Sequence, residues 1–301
     1  MSFPITTSLR VLKPPQYVVE TVRGTTPASP TFVKCGPIQE FTPNLETNSV
    51  TYRQLGSPDL YKVCKTGERF SFDMAFSPVN RNFMSFGINL ASEDPTYNRD
   101  KSLTIMLTQE LNNAGTLSEA WIVATGCTCD STSIDISNDA VNVSQTWIAN
   151  DIPLPVFTNP FTTPTYDTTP LTGCPWNGTS AGDNILVHNS NEYVLRAFSC
   201  TVSQNTDQFQ PLGTANVFAT TPTIRDISGS FDVVHENSLL ATDCENVTAR
   251  AATVRLSTDT KLTFTDMYLT SLSETISATS TEAKTQSFNF VAKSIKCEPG
   301  P

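Results

Sequence analysis

The sequence predicts a mainly β protein that is built from two tandem domains, each with one flanking helix. Three observations lead to this prediction. The 301 residues are 38% hydrophobic, which is enough for a core, and they are rich in Thr, Ser, Asn and turn residues. Several segments alternate apolar and polar residues with period two, which is typical of half-buried strands. One of these segments recurs, without a gap, 157 residues later.

The recurring segment begins at a Leu-Gly pair. Shifting the chain by 157 residues places Leu55-Gly56 on Leu212-Gly213, and an aromatic residue follows each pair. The chain then enters the alternating stretches "RFSFDMAF" and "DISGSFDVV", whose apolar residues share one register. Each stretch therefore predicts a half-buried strand at the same place in its domain. The aromatic residues are Tyr61 and Phe218.

A helix is predicted after each of these strands, at residues 78–90 and 236–247. The first helix has Phe83, Phe86 and Leu90 at helical spacing. Three further strands follow in each domain. The matching stretches are "SLTIMLT" with "ATVRLST", "WIVATGCTCDSTSIDIS" with "LTFTDMYLTSLSETIS", and "TWIANDI" with "FNFVAKSI". The offset falls from 157 to about 140 residues over these strands, so the connecting loops differ in length.

The domain organisation follows from this repeat. We expect an N-terminal arm (1–35), a first domain (36–155), a linker (156–192), a second domain (193–297) and a short tail (298–301). The linker is rich in Pro and Thr, which favours extended chain and excludes a central strand. At about 3.1 Å per residue, some 23 extended residues could reach roughly 70 Å. The alternative is that two β domains share only a generic alternation.

The charge distribution excludes a surface that grips nucleic acid. The net charge is −10, and the interval between Lys101 and Arg196 holds nine acidic residues and no basic one. This block is either a solvated face or a surface that repels a polyanion. Duplex DNA carries one charge per about 1.7 Å, and an acidic wall would act on it within about 8–10 Å.

No catalytic pattern is found. The chain has no nucleophile elbow, phosphate loop or zinc-protease motif, and it has two histidines, so we expect no enzyme activity, cofactor or metal site. The eight cysteines are interpreted as buried small hydrophobic residues, with disulfides formed after release from the cell as the alternative. No secretory apolar region and no stretch of about 18 apolar residues is visible, which predicts cytoplasmic synthesis and no membrane partner.

Two longer stretches point to a family. "VETVRGTTPASPTFVKCGPIQEF" with "LGSPDLY", and "FSCTVSQNTDQFQPLGT" with "RDISGSFDVVHEN", resemble recurrent parts of phage tail tube proteins. The first domain departs from the pattern, with "ERFSF" where the second has "RDISG". The resemblance implies β-sandwich or barrel-like domains with a flanking helix. It also implies inner sheets that join between neighbours around a lumen, and rings that stack into a tube.

The resemblance therefore implies a major tail tube protein of a tailed virus, made in the host cytoplasm and located in the virion tail. A chain that carries the domain twice would need three copies for a pseudo-sixfold ring. The expected partners are further copies of the chain, a tape-measure protein, and tail terminator and baseplate proteins, while viral DNA crosses the lumen without specific binding. The alternatives are the tube of a contractile injection device and a surface β-sandwich module such as an adhesin or carbohydrate binder.

Two sets of candidate site residues follow. Acidic residues on the alternating strands are expected to face the lumen. They are Asp130, Asp135, Asp266 and Glu274. The N-terminal arm and the two Leu-Gly loops are expected to make contacts between stacked rings. The loop candidates are Leu55, Gly56, Tyr61, Leu212, Gly213 and Phe218.

Overall fold

The computed structural model describes residues 11–53, 55, 60–113, 116–137, 140–152, 155–170, 176, 185–209, 219–234, 238–275 and 285–300. The strands are β1 (Val11–Val19), β2 (Val33–Lys34), β3 (Ile38–Arg53), β4 (Leu60–Phe76), β5 (Leu103–Asn113), β6 (Thr116–Ser137), β7 (Ala140–Ala149), β8 (Ile185–His188), β9 (Asn191–Ser203), β10 (Asp207–Phe209), β11 (Ala219–Thr221), β12 (Asp226–Val234), β13 (Arg250–Ser257), β14 (Thr260–Thr275) and β15 (Thr285–Pro299). The helices are α1 (Asn82–Ser85) and α2 (Leu239–Glu245). The predicted mainly β class is confirmed.

Six strands of the second half (β8–β15) close into an antiparallel barrel. Their pairing order is β9–β12–β15–β14–β13–β8, and β8 pairs again with β9. The β8–β9 hairpin turns through Asn189 and Ser190, whose φ angles of 50° and 67° are those of a type I′ turn. Because β9 and β14 are longer than β8 and β13, both strands extend beyond the closed part of the barrel.

The first half (β1–β7) repeats this order of pairing. Its strands run β3–β4–β7–β6–β5–β1, and β1 also pairs with β2. Only residues 35–37 separate β2 from β3, so the β1–β2 contact stands where β8–β9 closes the second half. A hydrogen bond from the Cys35 N–H to the Pro15 carbonyl (3.1 Å) extends this contact.

The register of pairing is also shared. Seven consecutive β3–β4 pairs become β9–β12 pairs when 157 is added to both residue numbers; for example, Leu45↔Phe70 becomes Val202↔Ile227. The β4–β7 and β12–β15 pairs correspond when 143 is added to β7. The β6–β7 and β14–β15 pairs correspond when 140 is added to β6. The order, direction and register of these strands therefore match between the halves.

The matched strands carry matched irregularities. Gly126 in β6 and Asp266 in β14 are 140 residues apart, and both have positive φ, of 65° and 48°. At each position the pairing with the preceding strand, β5 or β13, slips by one residue, as a β-bulge requires. A second slip lies just after Cys129 in β6 and just after Leu269 in β14. Side chains change faces at such bulges, so simple alternation does not continue across them.

One continuous cluster of buried side chains spans both halves. In the first half the rings of Phe72 and Phe83 stack on Trp147, with centroid distances of 6.3 and 5.3 Å. In the second half Phe198 and Phe264 contact Phe290 at 6.1 and 5.5 Å. Full burial of a large apolar side chain contributes about 1.5–3 kcal/mol, so these ring clusters stabilise each half.

Both helices are shorter than the sequence predicts. The helix expected at residues 78–90 is helical only over α1, because the following amides bond three residues back: Gly87 to Met84 O and Ile88 to Ser85 O, both 3.1 Å. This tighter turn lets the chain pass close to β6 and β7 at Gly87, where a Cβ atom would lie 2.7 Å from Nε2 of Gln145. Of the helix expected at 236–247, α2 covers 239–245, and residues 236–237 lie outside the described part.

The segments expected to be an arm and a linker both contain strands. β1 lies within residues 1–35 and pairs with β5, and β8 lies within residues 156–192 and pairs with β9 and β13. The linker also contacts the first half. Val156 bridges to Trp121, and Tyr166 packs on the rings of Phe32 and Trp121 at 5.7 and 5.8 Å. Between Val156 and Tyr166 the linker therefore packs against the first half, at Trp121 of β6 and at Phe32.

Candidate functional site

The two halves are joined edge to edge by strands β6 and β9. Six antiparallel pairs run from Ser131↔Ser203 to Ile136↔Phe198, and the Gln204 N–H donates to the Asp130 carbonyl at 2.7 Å. Because β6 pairs with β7 on its other side, one sheet of eight strands crosses the whole chain. Its order is β3–β4–β7–β6–β9–β12–β15–β14. We call it the long sheet.

A second contact between the halves surrounds Arg225, whose side chain is only 7% exposed. Its Nη1 donates to the carbonyls of Ile88 (2.7 Å) and Ile295 (3.0 Å), and it lies 3.3 Å from Oε2 of Glu93. Next to it, Asn89 exchanges two hydrogen bonds with the backbone of Cys297, of 2.7 and 3.1 Å. The segment after α1 is thus fastened to β15, which stabilises the β6–β9 joint.

One face of the long sheet covers the core, and the other carries short polar side chains. We call the second the polar face. Its polar residues at paired positions in the five central strands and in β4 are Ser71, Asp73, Ser131, Ser133, Asp135, Asn142, Ser144, Thr146, Ser199, Thr201, Ser203, Asp226, Ser228, Ser230, Asp232, Ser287 and Asn289. The exposed Val291 and the half-buried Ala75 and Ala197 lie on the same face. Their neighbours along each strand are mostly buried, as period-two alternation requires.

The polar side chains form rows across the sheet. One row runs Asp73–Thr146–Ser131–Ser203–Asp226, and the Thr146 hydroxyl donates to Oδ1 of Asp73 at 2.7 Å. The charged members of this row are both acidic. The hydroxyl and carboxylate side chains of this row offer a polyanion no positively charged partner.

The four acidic residues that the sequence analysis expects to face a lumen occupy different places in the structure. Asp135 lies on the polar face opposite Ser199. Asp130 stands at the slip in β6, where its Oδ1 accepts the Thr206 N–H at 2.8 Å. Asp266 is the bulge residue and forms an ion pair with Lys293 (3.1 Å). Glu274 follows the alternation of Leu272, on the side of the sheet that faces the core.

Three acidic residues of the polar face escaped the sequence analysis: Asp73, Asp226 and Asp232. The alternation of "RFSFDMAF" already places Asp73 on the face of the strand that is opposite to the buried Phe72 and Met74, so the sequence pattern was sufficient to predict its position. Asp135 and Asp232 lie on opposite sides of β9 around one shallow depression.

The loop candidates are partly described. Leu55 is fully exposed, and Tyr61 is exposed near the start of β4; Gly56, Leu212, Gly213 and Phe218 lie outside the described residues. The distal part of the β3–β4 hairpin is exposed on both faces and carries apolar side chains. They are Val50, Tyr52, Leu60, Tyr61 and Val63. The hairpin therefore presents an unburied apolar surface beyond the barrel.

The second half has the matching hairpin, with a different environment. Adding 157 to the pair Val50↔Cys64 produces Asp207↔Thr221, the first pair of the β10–β11 hairpin. This hairpin bends onto the first half, where the Thr220 hydroxyl lies 3.0 Å from Oγ1 of Thr128. One hairpin is thus packed within the chain, while its counterpart extends into solvent.

A partly buried ionic cluster joins α2 to the barrel. His188 Nε2 lies 3.1 Å from Oδ2 of Asp243, and Arg250 Nη2 donates to Oδ1 at 3.0 Å. Burial lowers the pKa of His188, and its contact with Asp243 opposes this only in part. Burial would raise the pKa of Asp243, but hydrogen bonds from Arg250 and His188 outweigh it and hold the pKa below its ordinary value. The cluster links α2 to β8 and β13, so its role is to hold the helix against the barrel.

Neither α1 nor α2, the helices of the described residues, has the length and apolar character needed to cross a bilayer. Comparison with curated proteins finds no match. The family model described as phage tail tube protein matches residues 16–292, which is nearly the whole chain and reaches from within β1 to within β15. The chain therefore belongs to the phage tail tube protein family and is a structural component of a virion tail.

Proposed function

We propose that three chains of this protein close into a pseudo-sixfold ring and that the rings stack into a tube that conducts viral DNA. The observation that carries this proposal is the long sheet. It consists of two blocks of four strands, β3–β4–β7–β6 and β9–β12–β15–β14, which match in order and register. The β6–β9 joint shows how two blocks pair within one chain, and we take it as the model for the contact between chains.

The matching blocks support a duplicated domain. Independent β domains would not be expected to share pairing register, two slips and a positive-φ residue at the same position. We place the start of the two units at β1 and β8 rather than at residues 36 and 193, because these strands hold equivalent places beside β5 and β13. The N-terminal arm is then limited to the residues before β1.

The ring follows from repeating the internal joint. Three chains contribute six blocks and, with eight strands in each long sheet, 24 strands. A closed ring leaves no exposed strand edge, and its contacts are heterologous, as cyclic symmetry requires. Without closure the long sheet would present an open edge at each end, which is a risk of aggregation.

The polar face is the surface best suited to line the lumen. The core face of the sheet is covered by β1, β5, β8 and β13, so the polar face remains for the inside of a closed barrel. Its acidic residues repel the DNA backbone over about 8–10 Å at physiological salt. Before ejection the lumen would hold a tape-measure protein, and terminator and baseplate proteins would cap the ends.

Electron microscopy of the purified protein tests the proposal. We expect tubes with a regular ring repeat, and end views with sixfold pseudo-symmetry that reduces to threefold at higher resolution. A protein that stays monomeric at high concentration, or end views with another symmetry such as fivefold, would contradict the proposed ring.

A further inference from the structure

The two ends of the long sheet have unpaired strand edges. On β14 the edge follows residue 267, where pairing with β13 stops, and on β3 it is the side opposite β4; neither edge has a partner among the described residues. The matched segments inside the chain do have partners, because they form the β6–β9 joint. The chain thus contains one completed joint and the two separate sides of another.

We propose that β14 of one chain pairs with β3 of the next chain in the register of the β6–β9 joint. This inference rests on the proposed ring and names its contact surface. Adding 140 to the β6 residues and subtracting 157 from the β9 residues converts the internal pairs into intermolecular ones. The resulting pairs are Ser271↔Glu46, Leu272↔Leu45, Ser273↔Asn44 and Glu274↔Pro43.

Burial supports this register. The internal joint has three core-facing pairs, Thr132↔Val202, Ile134↔Cys200 and Ile136↔Phe198, and all six side chains are buried; the first of these pairs corresponds to Leu272↔Leu45. The corresponding Leu272 and Leu45 are 39% and 53% exposed in the single chain. Two leucines at core-facing positions of two open edges are expected to be covered by each other when the edges pair.

An apolar groove under β3 supports the same contact. It has a volume of about 360 Å³ and is lined by Pro43, Leu45, Phe70, Ile122, Ile152 and Pro155, among others. At the position in the second half that corresponds to this groove, the segment Ile88–Asn89 of the first half is hydrogen-bonded to Arg225 and Cys297. By the same correspondence, we expect the end of α2 from the neighbouring chain, next to the exposed Val247, to occupy the groove under β3.

Two differences make the intermolecular joint weaker than the internal one. The Gln204 N–H donates to β6, and because N–H groups alternate sides along a strand, the N–H of Cys200, four residues earlier, also points to β6. In the intermolecular joint the residue that corresponds to Cys200 is Pro43, which has no N–H, so this joint has one hydrogen bond fewer. Glu68 also stands where the second half has Arg225, so the ionic fastening has no counterpart. We therefore expect rings to dissociate into folded chains before the chains unfold.

Disulfide trapping tests the register. In the internal joint Ser133↔Thr201 is a non-hydrogen-bonded pair, whose Cα atoms are about 4.5 Å apart, and Asn44 with Ser273 is its counterpart. We expect oxidised Asn44→Cys/Ser273→Cys protein to show a ladder of cross-linked chains that ends at three on non-reducing gels. The matched control Ser133→Cys/Thr201→Cys should form a bond within one chain and give no ladder. The single-cysteine variants measure the background from native thiols.

The off-register variant Asn44→Cys/Ser271→Cys completes the design. A stronger ladder from this pair than from 44/273 would overturn the register. Tubes in the micrographs without a 44/273 ladder would overturn the joint and leave the proposed tube standing. A 44/273 ladder without tubes would support the joint and contradict stacking, and the absence of both would overturn both proposals.

Discussion

At the scale of single residues, the clearest difference between the matched strands is Phe72 in β4 against Gly229 in β12. Phe72 is buried and stacks on Trp147. In the second half Phe290 stands at the position of Trp147, and a Cβ atom on Gly229 would lie 2.6 Å from Cζ of its ring and closer still to the Ser199 carbonyl. In the first half a large aromatic ring is thus contributed by both β4 and β7, whereas in the second half β15 alone contributes one at this pair. Position 229 has to be glycine because the Phe290 ring and the Ser199 carbonyl leave no room for a Cβ atom.

Replacing this glycine tests the argument. We expect Gly229→Ala to destabilise the second half by about 1–3 kcal/mol, because the neighbouring backbone and ring must shift. Thermal or urea unfolding measures the change. Ser230→Ala, on the polar face beside it, is the control and should stay within about 0.5 kcal/mol. An unchanged Gly229→Ala protein would show that the close approach imposes no constraint.

The His188 cluster predicts a loss of stability in mild acid. Burial holds the pKa of His188 below its ordinary value of 6.5, so between that value and the folded pKa the unfolded chain binds more protons. Stability should therefore fall as the pH drops from 7.5 to 5.5, at about 1.4 kcal/mol per unit difference in pKa. The contribution of Asp243, whose pKa is also lowered, is lost only at more acidic pH.

The variant His188→Gln should flatten this dependence, since its amide does not titrate. Urea unfolding at the two pH values measures the difference, and His235→Gln is the matched control. A wild-type protein that is equally stable at pH 7.5 and 5.5 would contradict the prediction.

At the scale of elements, the β3–β4 and β10–β11 hairpins share a pairing register but differ in their surroundings. Residues 204–206 interrupt the strand before the β10–β11 hairpin, which packs on β6, whereas β3 and β4 continue without interruption into their hairpin. The exposed apolar side chains of the β3–β4 hairpin have no burial within the described part of the chain. We therefore expect them to be buried between stacked rings.

The double variant Tyr52→Ser/Tyr61→Ser tests this role. Because both side chains are exposed, stability should change by less than about 0.5 kcal/mol, while long tubes should give way to single rings or short stacks. Tube lengths in negative-stain micrographs are the measurement. Val194→Ser, another exposed apolar residue, is the control. Tubes of normal length from the double variant would exclude the hairpin as the stacking element.

At the scale of the whole molecule, the acidic polar face predicts how the lumen treats DNA. Reversing three charges, with Asp135→Lys, Asp226→Lys and Asp232→Lys, should leave tubes intact but make them retain duplex DNA at low salt and release it at high salt. Co-sedimentation of labelled DNA with tubes is the measurement, and the three Asp→Asn changes are the control. If the lysine tubes retain no more DNA than wild type, the polar face does not line the path.

Part of this molecule was predictable because it depends on local periodicity. The alternation in "RFSFDMAF" and "DISGSFDVV" predicted β4 and β12, and the 157-residue offset anticipated the shared register of their hairpins. Strand positions follow from which side chains can be buried, and that pattern is written along the chain. The helices were overpredicted, since aromatic spacing at Phe83 and Phe86 marks burial and does not require a continuous helix.

The sequence by itself determined the β class, the paired strands and the acidic character of the chain. Only the tertiary structure decided which edges meet, and hence the β6–β9 joint and the open edges at β3 and β14. It also decided which acids share a face, because the bulges at Gly126 and Asp266 reverse the alternation that a sequence pattern assumes to continue. Edge pairing is set by backbone groups that every residue carries, so no side-chain pattern can specify it alone.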